Sequence, residues 1–344
     1  MSFNYKVNLN DTVGYSSDAQ LVGALNEALG DFSDHLAGAG TLVVQLNIDE
    51  TPAGRAEASP TASIANGVTE SGATLVQTSG VYALQKGEHV PGTTSDITVT
   101  VDPGYLPELH FGDGPVPNGH VDASSVFRHE LAHGFGVSGF LQQDGQPSAN
   151  GLYVTPYDTL IDRHDDGTAF FTGPTAEAVY GGPVPLTTVS TTQNFYHLAN
   201  FSSDLLADDL MNGVSFGGRS FPITNLDLAI LKDVGAPVTD LNGVDFHGVG
   251  HGTDPDIQAP SGNTGGAVQA SLDWDAIGAA MSHYNEATGD WWNGSYDMLL
   301  AWDAGHAGSS GEAPLQAPIV EAQPDWDAIA AAVTQHYLET GVWA

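Results

Sequence analysis

The stretch VFRHELAHGFG, residues 126–136, carries two histidines four positions apart, with a glutamate directly after the first. In an α-helix, residues i and i+4 lie one turn apart on the same face, so His129 and His133 can reach one metal ion. Glu130 projects beside that pair, where it can hold a metal-bound water and accept its proton. The pattern predicts a zinc hydrolase site. The alternative is an amphipathic helix that contains these residues by chance.

The residues around this stretch predict where its helix begins and ends. Asp122 has a side chain that suits the N-cap position. Gly134 and Gly136 favour termination, because glycine adopts the backbone conformations that follow a helix. Apolar residues at helical spacing between these limits predict a face that packs on the core.

Composition narrows the classes of protein to which the chain can belong. It has 344 residues, 41% of them hydrophobic, which is enough for one sizeable core or two modest ones. Seven Lys+Arg against 42 Asp+Glu give a net charge of -35, which repels phosphate backbones and anionic membrane surfaces. We therefore expect no nucleic-acid binding. No apolar run reaches membrane-spanning length, so we also expect no membrane insertion.

The absence of cysteine limits both the metal ligands and the location of the protein. Disulfides and thiolate ligands are excluded, so a zinc ion must be held by histidine and by carboxylate or water. The first residues lack the charged and then apolar layout of a secretory signal peptide. Export without a cleaved N-terminal signal and a cytoplasmic location both fit. The acidic, cysteine-free composition favours a secreted bacterial protein.

The order of predicted elements indicates an α+β fold with two lobes, residues 1–136 and 137–236. The first lobe is predicted to form a mixed sheet that leads to the metal helix. Its expected elements are a strand at 3–9, a helix at 19–36, strands at 41–48 and 96–101, weaker strands and loops at 51–95 that include short alternating runs at 74–76 and 81–84, and a loop at 103–119.

The second lobe is predicted to be irregular. Residues 138–195 are rich in turn-forming residues, and a loop of that length is usually functional or held by other parts of the protein. A buried helix is expected over 224–234. Thr224 and Asp227 would form its capping box, and Gly235 would end it.

A catalytic zinc normally takes three protein ligands, and the helix supplies two. In the metzincin pattern HExxHxxGxxH, a third histidine follows three residues after a glycine. Gly136 occupies the glycine position here. The ligand position is Gly139, which has no side chain to offer.

The motifs HELAHGFG (129–136), YHL (196–198) and DDLMNG (208–213) together resemble the leishmanolysin-type branch of the metzincins. FTGP (171–174) and LDLAILKDVG (226–235) are similar to parts of that family's C-terminal lobe. In this branch an insertion separates the glycine from the third zinc histidine, and a methionine turn follows. The chain departs from the family in having no cysteine.

The resemblance covers residues 96–236 and implies a two-lobed zincin fold with defined site residues. His129, His133 and His197 would bind zinc. Glu130 would be the general base. Met211 would lie under the metal.

Other residues compete for these assignments. His164 lies among acidic residues and is an alternative third ligand, whereas the spacing to Met211 favours His197. Met211 itself suits ordinary core packing. His110 and His120 are expected at the margin of the cleft and not on the metal.

Two acidic stretches, 162–167 and 245–256, have enough carboxylates to bind Ca²⁺. Neither has the spacing of an EF-hand. A solvated acidic loop is the alternative interpretation of both, and it is the one we favour.

The C-terminal part differs from the rest in composition. A linker at 237–270 leads to an acidic tail at 271–344, in which DWDAI occurs at 273–277 and again at 325–329. This internal repeat predicts a small helical appendage. The two copies could pack together or dock on a partner.

The function expected from the sequence is that of a zinc metalloendopeptidase acting on protein or peptide substrates. An extended substrate would pair with the edge of the N-terminal sheet as an added strand. The alternative is a non-catalytic surface or interaction protein, with a structural metal site and the tryptophan repeats as its docking tail.

Overall fold

The computed structural model describes residues 2–15, 18–49, 55–112, 114–141, 153–188, 195–200, 204–213 and 217–246. All of them belong to the first of the two units into which the chain divides, Met1–Thr253. Most of the expected linker and the whole acidic tail with its DWDAI repeats lie outside the described residues. All but the first two residues of the acidic stretch at 245–256 also lie outside them.

The described residues form short and medium-length elements of both types. The helices are α1 (Asp18–His35), α2 (Ser79–Lys86), α3 (Ala123–Gly134), α4 (Pro174–Tyr180) and α5 (Asn225–Asp233). The strands are β1 (Asn4–Asp11), β2 (Thr41–Ile48), β3 (Ala56–Pro60), β4 (Ser63–Val68), β5 (Thr74–Thr78), β6 (Ile97–Val101), β7 (Leu109–His110), β8 (Val121–Asp122), β9 (Tyr153–Val154), β10 (Ile161–Arg163), β11 (Ala169–Phe171) and β12 (Val184–Pro185). Three short 3₁₀ turns lie at Leu106–Glu108, Asp158–Leu160 and Leu205–Asp208.

The largest sheet is mixed, in the order β1-β2-β6-β3. β1 and β6 pair with β2 in parallel, and β3 pairs with β6 in the antiparallel direction. Parallel neighbours must be joined by crossovers, and α1 provides the one between β1 and β2. The antiparallel β3 ends the order on the side opposite β1. It is therefore an edge strand of the sheet that the structure describes.

The predicted strands at 41–48 and 96–101 and the helix at 19–36 are confirmed to within one residue, and the first strand begins and ends one to two residues later than predicted. The prediction for 81–84 is wrong, because these residues lie in α2. Val81 and Leu84 are three positions apart and both are buried, as expected for one face of a helix. Gly87 ends α2 with φ 75, a conformation that favours glycine.

Helices α1 and α3 pack against each other beside the large sheet. The rings of Phe32 on α1 and Phe135, directly after α3, are 5.1 Å apart and meet edge to face. Arg128 on α3 donates from Nε to Asp31 at 2.6 Å and from Nη2 to Glu27 at 3.1 Å. Apolar packing and charged hydrogen bonds thus hold the metal helix to α1.

The second lobe is built from short elements. The helix predicted there at 224–234 is confirmed as α5. Thr224 Oγ1 accepts the N–H of Asp227 at 3.1 Å, and the Asp227 carboxylate accepts the N–H of Thr224 at 2.7 Å, which completes the capping box. At the other end of α5, Asp233 accepts backbone N–H groups of Thr175 and Ala176 at the start of α4. These bonds join the two helices.

The fold is therefore α+β, with five helices and several mixed or antiparallel sheets in the described residues. None of these helices is long and apolar enough to span a bilayer.

Candidate metal centre

Helix α3 places His129 and His133 in its second half. Asp122 is the N-cap, as expected, and its carboxylate accepts the N–H of Ser125 at 3.0 Å. The helix ends at Gly134, where a Cβ would lie 2.6 Å from Ile97 Cγ2, so the metal-binding end of α3 lies directly against β6. Gly136 then takes a φ of 116 and lets the chain turn away.

His197, from a segment without regular structure, joins the two helical histidines. Its Nε2 atom lies 3.0 Å from Nε2 of His129 and 3.2 Å from Nε2 of His133. The Nε2 atoms of the two helical histidines are 3.2 Å apart. The structure thus brings together the three histidines that the resemblance nominated.

Backbone carbonyls orient both helical histidines. Nδ1 of His129 lies 2.8 Å from the carbonyl oxygen of Leu210, and Nδ1 of His133 lies 2.7 Å from that of Val137. A carbonyl only accepts hydrogen bonds, so each Nδ1 carries the proton and each Nε2 presents a lone pair. Burial and then the neighbouring His133 lower the pKa of His129 to about 3, and burial lowers that of His133. Both rings are in the neutral form that binds metals.

The arrangement fits a metal ion. Nitrogen lone pairs facing one another at 3.0–3.2 Å need a cation or shared proton between them. Tetrahedral coordination at about 2.1 Å separates ligand nitrogens by about 3.4 Å, a few tenths of an ångström more than the observed spacing. Among the residues that the structure describes, these three form the one group of three or more potential His, Cys, Asp or Glu ligands. The centre can bind a metal ion through three protein atoms.

The turn at 209–213 supports two of the ligands through its backbone. Leu210 provides the carbonyl that orients His129. The N–H of Leu198, next to His197, donates to the carbonyl of Met211 at 2.8 Å, and the N–H of Gly213 donates to the carbonyl of Leu198 at 2.9 Å. The Met211 side chain is buried in the core. Its position under the metal stays a prediction.

Glu130 follows His129 on α3, and its buried side chain lies close to the edge strand β3. Its carboxylate accepts the backbone N–H of Ala58 in that strand. Burial raises the pKa of Glu130 to about 8, the Ala58 hydrogen bond opposes this, and the charge of Glu57 adds to it. A carboxyl group held in this range can both accept and donate a proton near neutral pH.

The alternative assignment of His164 to the metal is wrong. It lies in the exposed turn between β10 and β11, where it packs on Phe170 at a ring distance of 5.0 Å and lies 3.4 Å from Asp162. In the same turn Asp166 accepts hydrogen bonds from Thr168, so its carboxylate shapes the hairpin. The described part of the chain shows no calcium ligand cluster here.

His110 and His120 are outside the metal group, as expected. His110 lies in the short strand β7, and His120 directly precedes the short strand β8. Both strands come before the first residue of α3. The two helical ligands, His129 and His133, lie in the second half of that helix.

Gly139 shows why the usual third-ligand position is empty. A Cβ there would lie 1.9 Å from Oδ1 of Asp158, a buried side chain that no sequence motif pointed to. No sequence signal marks Val137 and Leu210 either, because they act through backbone carbonyls that every residue type possesses. The only signal for Asp158 was its place in the long irregular segment that follows α3.

No family model matches this chain, and neither the curated proteins nor the solved structures include a detectable match.

Proposed function

We propose that the protein is a zinc-dependent metalloendopeptidase with a metzincin-like catalytic domain of the leishmanolysin type. The observation that carries the proposal is the triangle of three Nε2 atoms, 3.0–3.2 Å apart, with Glu130 next to His129. Imidazole ligands suit zinc, and three of them with no fourth protein ligand among the described residues are typical of a catalytic rather than a structural zinc site.

Bound zinc would supply Lewis acidity, polarising a peptide carbonyl and lowering the pKa of water. Glu130 would act as the base that takes the proton from the attacking water. Its burial disfavours the charged form and thus favours retention of that proton until the amine leaves. Glu130 would then donate the proton to the leaving nitrogen, which returns the carboxylate to its initial state.

The edge strand β3 would hold the substrate. The N–H of Ala58 points to Glu130, so the outer edge of β3 lies beside the reacting groups. An extended peptide that pairs with this edge would lie across the metal centre, and main-chain hydrogen bonds would align it. A net charge of -35 would favour basic over acidic substrates. Secretion remains our proposal for the location.

The test compares Glu130→Ala with the native chain on casein. We expect hydrolysis to fall by roughly 10²–10⁴-fold because the general base is lost, while one zinc per chain is retained. Glu70→Ala, an exposed change in the turn between β4 and β5, is the control and should retain activity. Absence of cleavage by the zinc-loaded native chain on casein and on a mixed peptide library would contradict the proposal and favour the non-catalytic alternative.

A further inference from the structure

The segment that follows α3 and the segment that carries His197 meet at a buried carboxylate. Asp158 Oδ2 accepts the N–H groups of Phe140 and Thr155, both at 2.9 Å. Its Oδ1 lies 3.2 Å from the hydroxyl of Tyr196, the residue before His197. The Asp158 side chain therefore contacts Phe140, directly after Gly139, and Tyr196, directly before His197.

Tyr196 makes the same connection from the other direction. Its hydroxyl accepts the N–H of Leu141 at 2.9 Å and has one proton to donate, with the Leu141 carbonyl and Asp158 Oδ1 both at 3.2 Å. Its ring packs on buried Tyr157 at 5.6 Å, and the Tyr157 hydroxyl donates to the carbonyl of Phe195 at 3.0 Å. The residues before His197 are thus held by both packing and hydrogen bonds.

Gly139 is part of the same arrangement. The Asp158 carboxylate occupies the volume next to Cα of Gly139, so any side chain there would displace it. A ligand at Gly139 and this position of Asp158 therefore exclude each other.

We propose that Asp158 and Tyr196 form a clamp that positions His197 as the third metal ligand, in the place of the side chain that Gly139 lacks. This inference rests on the metal-binding role proposed above. Asp158 and Tyr196 are positioning residues, since they act on the metal through the backbone next to His197. Contacts of this kind are worth about 10–100-fold in metal affinity at other sites.

The experiment measures zinc affinity of the full chain by competition with a chromophoric chelator, together with the absorption spectrum after Co²⁺ loading. Tyr196→Phe keeps the ring and removes the hydroxyl, so we expect zinc affinity to fall about 10–100-fold and the Co²⁺ bands to shift. Tyr5→Phe is the matched control, because the Tyr5 hydroxyl also donates to a backbone carbonyl, that of Asn26, in the first lobe. Its zinc affinity should equal that of the native chain.

Asp158→Asn and the double variant test whether the two residues act together. We expect the double variant to lose no more zinc affinity than whichever single variant binds zinc more weakly, because either change alone breaks the same clamp. Native zinc affinity and an unchanged Co²⁺ spectrum in Tyr196→Phe would overturn the inference. A loss of affinity matched by an equal loss of stability of the metal-free protein would also overturn it. Failure of the native chain to bind zinc or Co²⁺ would instead contradict the proposed function.

Discussion

The two halves of the metal centre are held in place by different means. His129 and His133 lie on one face of α3, where the helical backbone sets their separation and the Asp122 cap and β6 set the position of the helix. His197 lies in a segment without regular structure. Long-range contacts with Thr187, the Met211 turn and the Asp158 clamp hold that segment.

This difference indicates which half is sensitive to change. A helix retains the spacing of two ligands as long as it forms, because each turn repeats the same local geometry. The third ligand depends on several contacts that form only in the folded protein. We therefore expect changes around the segment that carries His197 to affect metal binding more than comparable changes in α3.

The largest effect is expected for Gly139→Ala. The added Cβ would lie 1.9 Å from Asp158 Oδ1, so the carboxylate must move and lose its hydrogen bonds. We expect the free energy of unfolding to fall by about 3 kcal/mol, the upper end for overpacking, and zinc affinity to fall with it. Urea unfolding of the metal-free protein and zinc titration measure the two effects.

Gly182→Ala is the control for this variant, because a Cβ at Gly182 meets no atom within 4 Å and the residue lies in the same half. If Gly139→Ala costs no more stability than Gly182→Ala, the close approach to Asp158 is not a constraint on the fold.

A smaller effect is expected when metal is removed. With zinc at about 100 times its Kd, removal of zinc lowers the free energy of unfolding by about 2.7 kcal/mol. We expect this loss of stability mainly in the irregular segment that carries His197 and in the Met211 turn. Hydrogen exchange should become faster at 195–200 and 209–213 after chelation. It should change less in α3, whose amides are bonded within the helix.

Strand β2 serves as the internal reference for exchange, since it lies in the centre of the large sheet. If exchange accelerates equally in α3 and in 195–200, the two halves of the metal centre depend equally on the metal, which contradicts our expectation.

The smallest effect at neutral pH is expected for Asp227→Asn. Asp209 and Asp227 are both buried, and Thr224 lies between them, 2.8 Å from Asp209 Oδ2 and 3.0 Å from Asp227 Oδ2. Burial and the charge of Asp209 raise the pKa of Asp227 well above its ordinary value of 3.8. Asp209 also accepts the N–H of Met211 at 2.9 Å, so this pair anchors the Met211 turn to α5.

The sign of the pH effect follows from the raised pKa. The folded state binds the proton more tightly than the unfolded state, so this contribution to stability is complete below pH 3.8 and is lost as pH rises through the folded pKa. Asparagine donates a similar hydrogen bond without titrating. We expect Asp227→Asn to change stability at pH 7 by less than about 1 kcal/mol and to become more stable relative to the native chain as pH rises.

Melting temperatures of the metal-free proteins from pH 4 to 9 measure this difference. Asp240→Asn is a control of opposite sign, because the Asn242 N–H and His35 lower the pKa of Asp240 and its contribution is lost as pH falls. A native-minus-variant difference that does not vary with pH would show that the fold does not raise the pKa of Asp227.

The sequence predicted those parts of the fold that depend on near neighbours. The α3 boundaries, the Asp122 cap and the Thr224 capping box follow from patterns within a few residues, and the structure confirms them. Residues 81–84 were wrongly predicted as a strand, because so short an apolar run fits the repeat of a helix as well as that of a strand. Packing of Val81 and Leu84 on one face decided for the helix.

His164 shows the same limit at the site. Its acidic neighbours made it a plausible ligand, but the β10–β11 hairpin holds it at the surface. Nothing within the local sequence shows that His164 lies outside the group formed by His129, His133 and His197.

The sequence by itself determined that one helix presents two imidazoles on one face with a carboxylate beside them, because a spacing of four residues has a single outcome in an α-helix. Only the tertiary structure decided what completes the centre. The Leu210 carbonyl lies 81 residues from His129, and His197 lies 64 residues from His133. Such contacts depend on how the intervening chain packs, and Asp158 beside Gly139 shows that one buried carboxylate can exclude the nearer ligand position and support the later one.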